Sequence, residues 1–356
     1  MTQPAIYAGP ALASDAVVPQ PPAIASLPHI LAHSLGPQKP GPPRPPGPKV
    51  NPWDASATWR MAVLPSQINS LLTGLWGSRG YHCGADGRPT RIRQRPIPSA
   101  GGTYAVQTHL AIGYPGAYGL EPGRYVLDHE RDLLLRRRDS SRPLPTGAWL
   151  IFSVQPGRSF GRYQHRSWPL WIADTAYALV ATQFLLNQPL PPLLGPSDQL
   201  RELSAVARGS DTSWWVQRGL APEIPLAAVR LPGKLRVCRD RSTALALRRS
   251  PSHASFASNL EGARNNHARE LAVRSGQSWV AGADRVEAWS VRLNSPSQSI
   301  FQMLWTAHQR AARLTYDSAL SGIWRCRPIS GFPATSTSWI VHALAMLRVR
   351  DTETLS

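Results

Sequence analysis

Two short stretches of this chain carry residue types and spacing suited to holding a flat ligand with a phosphate. In Arg95-Pro96-Ile97-Pro98-Ser99-Ala100-Gly101-Gly102-Thr103-Tyr104, a turn of small residues runs directly into a strand, and small side chains let a planar aromatic group approach the backbone. In Arg248-Arg249-Ser250-Pro251-Ser252-His253, guanidinium groups that donate bidentately to phosphate sit beside hydroxyls that add hydrogen bonds. On local sequence alone, the first stretch is also a tight turn before a strand and the second a solvated basic turn. Other chemistries lack their signatures. The sequence has no Gly-x-Ser-x-Gly elbow, no His-Glu-x-x-His and no Gly-rich loop ending in Gly-Lys-Ser/Thr, so hydrolase, zinc-enzyme and NTPase readings lose their usual support. The ten histidines are scattered, and Cys83, Cys238 and Cys326 lie far apart without a Cys-x-x-Cys pair. Neither a metal site nor a disulfide framework is expected, and a reducing cytoplasm fits the cysteine usage.

These groups need elements to position them. From Trp59 to Trp76, the spacing of Met61, Leu64, Ile68, Leu71, Leu72 and Leu75 predicts a helix interrupted by Pro65 and closed by Gly77. Tyr104 to Ile112 alternates as a strand, Gly123 to Leu135 reads as a hairpin around a polar turn, and Trp149 to Val154 is a further strand. The apolar run Leu170–Leu186, interrupted by Asp174, Thr175, Thr182 and Gln183, predicts a buried helix and not a membrane span. The order is α+β, with helices flanking a mostly antiparallel sheet.

The organisation follows from composition. Thirteen of the first fifty residues are Pro, ending in the run Pro40 to Pro48, so residues 1–50 read as a tail, either a passive linker or a polyproline ligand. Residues 51–190 form a first domain, 191–232 a Pro-rich helical connection, and 233–356 a second, shorter half. The halves share a weak repeat: Leu71 to Trp76 precedes Arg95-Pro96-Ile97-Pro98-Ser99, and Ile300 to Trp305 precedes Arg327-Pro328-Ile329-Ser330. Basic residues number 39 against 21 acidic ones, giving a formal charge of +18. Such a chain attracts acidic partners in a salt-dependent way, but no zinc-finger spacing, aromatic RNA-binding stripe or basic helix points to nucleic acid. No basic residue precedes Lys39, so no secretory signal is expected.

The Arg95-to-Tyr104 stretch resembles the Arg-Pro-x-Pro-Ser-Ala-Gly-x-x-Tyr segment of SagB-type dehydrogenases, in the flavin-dependent nitroreductase superfamily. Leu120-Glu121-Pro122-Gly123-Arg124-Tyr125 is similar to the family's Leu-Pro-Pro-Gly-x-Tyr hairpin. Gly161-Arg162-Tyr163-Gln164-His165-Arg166-Ser167-Trp168, followed by Asp174, is similar to its Lys-Tyr-Gly-Glu-Arg-x-Tyr segment and the apolar helix after it. Arg248-Arg249-Ser250 resembles the Arg-Arg-Ser stretch at the start of nitroreductase domains. The resemblance implies a nitroreductase-like fold, and the split of its motifs between the two halves leads us to expect two fused half-related domains forming a pseudo-dimer. It also implies FMN held by Arg95, Pro98, Ser99 and Gly101 from one half and by Arg248, Arg249, Ser250 and Ser252 from the other.

The reaction implied is dehydrogenation of thiazoline or oxazoline rings to thiazoles or oxazoles in a ribosomally made, thiopeptide-like product. The partners would be a precursor peptide carrying azolines and the cyclodehydratase that forms them, with a second copy or another subunit completing the short second half. Proton transfer falls to the family's Lys-Tyr pair, which becomes Arg162 and Tyr163 here. Arg cannot act as a base, so Arg162 would stabilise Tyr163 as phenolate and Tyr163 would be the base, with His165 behind it. Tyr177 also replaces the family's usual His. These departures leave a second reading, a flavin-fold scaffold without oxidase activity in a peptide-modifying complex. A small-molecule nitroreductase would share the fold without needing the Tyr163 segment.

Overall fold

The computed structural model describes residues 44–45, 59–61, 63–83, 88–137, 143–206, 223–259 and 262–350. Strand β1 (Trp59–Met61) leads to helix α1 (Ser66–Trp76), whose Ile68, Leu71, Leu72, Leu75 and Trp76 are buried. The predicted helix is therefore shorter than its apolar spacing implied. Pro65 disfavours the helical region for the residue before it and is itself extended as the N-cap, so the helix winds only after it. A two-stranded ribbon not foreseen from the sequence follows, β2 (Tyr81–Cys83) against β3 (Pro89–Arg93).

The strand, hairpin and strand predicted next are β4 (Val106–Ile112), β5 (Gly123–Asp128) with β6 (Leu133–Arg137), and β7 (Ala148–Val154). After a one-turn helix, α2 (Phe160–Tyr163), comes the long apolar helix α3 (Ser167–Leu186). Then follow β8 (Pro192–Leu194), α4 (Asp198–Ser204) and β9 (Ile224–Arg230). The sheet is wholly antiparallel in the order β1-β6-β5-β4-β7-β9-β8. Although β4 alternates in sequence, it is buried at every position. One face meets α1 and α3, and on the other Ala111, Ile151 and Ala228 pack against Leu200 and Leu203 of α4. α3 has the length and composition of a membrane span, but it is almost entirely buried within the protein, as its polar interruptions predicted.

The second half supplies α5 (Arg239–Leu247), α6 (His253–Ala257), α7 (Asn266–Ser275), β10 (Arg285–Arg292), α8 (Ser297–Ser321), β11 (Trp324–Ile329) and β12 (Ser338–Arg348). Its antiparallel sheet runs β10-β12-β11. α8 lies along α3, and Tyr316 donates its hydroxyl to the Tyr177 carbonyl at 2.9 Å. Leu304, Trp305 and Tyr316 belong to the same buried cluster as Ile68, Phe152 and Leu179, so one core holds both halves together.

Three details of the sequence organisation change. The stretch 191–232 is more than a connection, because the apolar run Ile224–Arg230 pairs with β7 and draws β8 into the sheet; residues 207–222 lie outside the described residues. The repeat unit Ile300–Trp305 sits in a helix of 25 residues, whereas its counterpart sits in one of 11. Of the tail read over 1–50, only Arg44 and Pro45 fall among the described residues. They lie against the protein, with the Arg44 N–H donating to the Gly161 carbonyl at 2.8 Å.

Candidate functional site

A cleft of about 550 Å³ opens where the two halves meet. Its first-half wall is the turn from Gln94 to Tyr104 together with α2 and the start of α3. Its second-half wall is Arg248 to Ser250, His253, Trp279 and the Arg327-Pro328 end of β11. Pro98, Ser99, Gly101, Arg162, Tyr163, Arg248, Arg249 and Ser250 therefore line one cavity, although they come from three stretches of chain. The two halves touch directly at this point, where Arg248 Nε donates to the Pro96 carbonyl at 2.8 Å; within the second half Arg248 Nη1 donates to Ser250 Oγ at 3.2 Å.

The first-half turn is fixed from below by α3. Ser99 Oγ donates to Asp174 Oδ2 at 2.7 Å and accepts from the Tyr104 N–H at 2.9 Å, while the Ala100 N–H donates to Asp174 Oδ1 at 3.0 Å. Burial pushes the Asp174 carboxyl up to about 7, opposed by the hydrogen bonds from Ser99 and Ala100. Gly101 follows at φ +58°, and a Cβ there would stand 2.3 Å from Tyr163 Oη and 2.9 Å from Arg162 Nη1. The positive φ favours glycine, and a Cβ there would have to push the ends of the Tyr163 and Arg162 side chains aside. Arg162 crosses the same spot, with Nη1 donating to the Gly101 carbonyl at 3.4 Å and its guanidinium carbon 5.4 Å from the Tyr163 ring centre.

Tyr163 differs from its expected state. Burial raises its pKa above the ordinary value of 10; Arg162 opposes this and Asp174 adds to it. The side chain is a phenol at neutral pH, and the phenolate expected from the neighbouring Arg162 forms only on the alkaline side.

Arg95 lines the cleft, but its end nitrogens donate to Trp76 O at 2.6 Å and His129 O at 2.8 Å, so it braces the turn. Arg249 Nη1 donates to the carbonyls of Ala246 and Arg248, both at 2.9 Å, and thereby closes the end of α5. Ser252 stands apart from the cleft wall as the N-cap of α6, its Oγ accepting from the Ser255 N–H at 3.0 Å.

Several lining residues were not among the site residues expected from the sequence. Arg327 comes from the second Arg-Pro unit of the repeat, which was the one available signal for it. It stacks at 5.3 Å on Trp279, whose ring lies parallel to His253 at 4.9 Å. Tyr177 and His342 meet at the cleft floor, 3.1 Å between hydroxyl and Nε2. Nothing in the sequence pairs these residues, since α3 and β12 are remote along the chain.

The charge balance is one-sided. Arg95, Arg162, Arg248, Arg249 and Arg327 line the cleft against a single acid, the buried Asp174. Burial and the charges of Arg249, Arg248 and Arg327 together lower the pKa of His82 on the rim. A concave site so charged, with a glycine floor and a stacked aromatic wall, suits a planar ligand carrying an anionic group, and the residues present fit a flavin nucleotide. Among the described residues no group of His, Cys, Asp and Glu is arranged to hold a metal ion.

No protein-family model and no curated protein matches the chain. Among solved structures, a protein assigned as a nitroreductase from Anabaena variabilis superposes with a TM-score of 0.61 at 11% identity, over 91% of this chain and 99% of that one. A chain of the Escherichia coli microcin synthetase McbBCD complex with truncated pro-MccB17 bound aligns over 51% of this chain and 71% of that one, at 13% identity and a TM-score of 0.32, below the level of a shared fold. The chain has a nitroreductase-like α+β fold.

Proposed function

We propose that this protein is an FMN-dependent dehydrogenase acting on thiazoline or oxazoline rings of a ribosomally made peptide in the cytoplasm. The observation that supports the reading is the meeting, in one arginine-rich cleft, of the Pro98-to-Gly101 turn, the Arg162-Tyr163 pair and the Arg248-to-Ser250 segment. The two halves would then play the parts of two subunits around one flavin. Arg248, Arg249 and Ser250 would take the phosphate, and Pro98, Ser99 and Gly101 would lie along the ring edge. When bound, FMN supplies the hydride acceptor.

The chain's own task is the proton. Tyr163 Oη stands over Gly101; after giving its own proton to solvent, the phenolate would take the α-proton of an azoline ring lying along the turn. Arg162 favours that ionisation and remains charged throughout. Asp174 holds the turn beneath through Ser99 and Ala100. The partners are a precursor peptide carrying azolines and the cyclodehydratase that makes them.

The test is the visible absorption spectrum of the purified protein, followed by release and identification of the chromophore and turnover of an azoline peptide. About one FMN per chain together with azole formation supports the enzyme. Bound FMN without azole formation removes the proposed substrate. A colourless protein that does not take up added FMN assigns the chain to the second reading, a scaffold of a peptide-modifying complex, which Arg162 in place of a Lys base favours.

A further inference from the structure

The Pro-rich run Pro40–Pro48 has no part in the function above, yet its two described residues lie against the turn that carries Arg162 and Tyr163. The Arg44 N–H donates to the Gly161 carbonyl at 2.8 Å. A Cβ on Gly161 would stand 2.5 Å from the Pro45 carbonyl oxygen and 2.7 Å from that of Arg44. Gly161 is buried, whereas the side chain of Arg44 is exposed, so the contact is made by main chain on both sides.

α2 needs such support. It has four residues, and its Ser159 N-cap makes no capping hydrogen bond, its Oγ accepting instead from Trp171 Nε1 at 2.7 Å. Its interior Gly161 costs roughly 1 kcal/mol of helix propensity relative to Ala. A helix this short does not hold itself in water. Its anchors include the Arg162 and Tyr163 N–H groups on the Ser159 carbonyl, both at 3.0 Å, the Gln164 N–H on the Phe160 carbonyl, and the Arg44 N–H on Gly161, which alone of these reaches α2 from the Pro-rich segment. A segment flanked by prolines is already extended, so laying it across α2 costs little chain entropy.

We infer that the Arg44–Pro45 main chain is an intramolecular brace that positions Arg162 and Tyr163 over Gly101, and that Gly161 is glycine to let this segment pass. Arg44 and Gly161 are positioning residues; neither touches the substrate. The inference depends on the proposed role of Tyr163 only for its effect on turnover.

The test uses the full chain and hydrogen exchange of the Arg162 and Tyr163 amides. Arg44→Ala keeps the N–H and is expected to exchange like the wild type. Arg44→Pro removes that donor and sets the ring Cδ against the Gly161 carbonyl, in a run that is already Pro-rich, and at least about tenfold faster exchange is expected as α2 loosens. Gly161→Ala separates the two views by sign: helix propensity alone would slow exchange, whereas the brace predicts faster exchange because the carbonyls of Arg44 and Pro45 are displaced. The double variant should match Arg44→Pro alone, since both break one contact. Exchange in Arg44→Pro within twofold of wild type, or slower exchange in Gly161→Ala, overturns the brace.

Turnover provides the second readout: Arg44→Pro should lower kcat with KM unchanged, and Arg44→Ala should restore it. A rise in turnover for Arg44→Pro would also overturn the proposal, because it would make the segment an obstruction. If the wild type oxidises no azoline, the reading of the cleft fails, and the exchange measurements still judge the brace.

Discussion

Asp174, inside the apolar helix α3, accepts the Ser99 hydroxyl at 2.7 Å from a position 75 residues away in the chain. The same carboxylate takes the Ala100 N–H, and Ser99 in turn takes the N–H of Tyr104, so one buried acid sets the whole turn that floors the cleft. Asp174→Ala leaves the Ser99 hydroxyl and the Ala100 N–H, both part-buried on the cleft wall, without this partner, which costs up to about 1–3 kcal/mol each. Urea unfolding should show a loss of a few kcal/mol, and an unchanged midpoint would show that the turn holds without α3.

Tyr163→Phe should keep FMN while turnover of an azoline peptide falls at least about a hundredfold, the range of a lost acid-base group. In the wild type, turnover should climb with pH from neutral to alkaline conditions, because burial holds the Tyr163 pKa above 10 and the base is the ionised form. Arg162 pulls that pKa down, so Arg162→Gln should move the limb to still higher pH. A flat profile above neutrality would remove Tyr163 from proton transfer.

Gly101→Ala meets Tyr163 Oη at 2.3 Å and a positive φ together. The backbone penalty alone is about 1–2 kcal/mol. Displacement of Tyr163 should lower turnover about as far as its removal does, which steady-state rates on the two variants compare directly.

Arg248 and Ser252 belong to one sequence motif but should answer differently. Arg248→Ala removes a cleft guanidinium and the bond to Pro96, and FMN affinity should weaken about 10- to 100-fold, the worth of one charge-assisted bond. Ser252→Ala removes a helix cap, which costs about 1 kcal/mol of stability, and leaves the FMN Kd unchanged. Flavin fluorescence titration and thermal melts separate the two.

His342 is buried, and its pKa is lowered to about 4 from the ordinary 6.5. The unfolded chain binds a proton below pH 6.5 that the folded chain refuses until about 4, so the stability His342 supplies is complete above 6.5 and is lost as pH falls through that window. Burial lowers His308, 5.0 Å away, in the same direction. Asp174, raised to about 7, contributes the opposite slope, with stability falling as pH rises from about 4 to 7. The difference between wild type and His342→Gln in melts across pH 4 to 7 isolates the histidine, and it should shrink as the solution becomes more acidic.

Local order along the chain was legible wherever a short-range rule governs it. The alternation of β4, the hairpin β5–β6, the apolar length of α3 and the small residues of the Ser99–Gly102 turn all follow from periodicity and turn chemistry within a few residues. Pro65 was legible too, although its effect on where α1 begins was underestimated. Pro98, Ser99, Gly101, Arg162, Tyr163, Arg248, Arg249 and Ser250 stand in motifs visible in the sequence, and Arg327 stands in a repeat unit visible there. What composition and spacing could not supply is which way each side chain faces once distant elements pack. Arg95 and Ser252 sit in the right motifs, yet the first is bonded to the Trp76 and His129 carbonyls and the second caps a helix. The Tyr177–His342 contact, the anchor on Asp174 and the passage of Arg44 over Gly161 join segments that are remote in sequence. Burial of Tyr163, which keeps it neutral where a phenolate was expected, exists only once α2 packs over the Gly101 turn and α3. Short-range rules determined the elements and their candidate chemistry; long-range burial and hydrogen bonding decided which of those groups meet and in which protonation state.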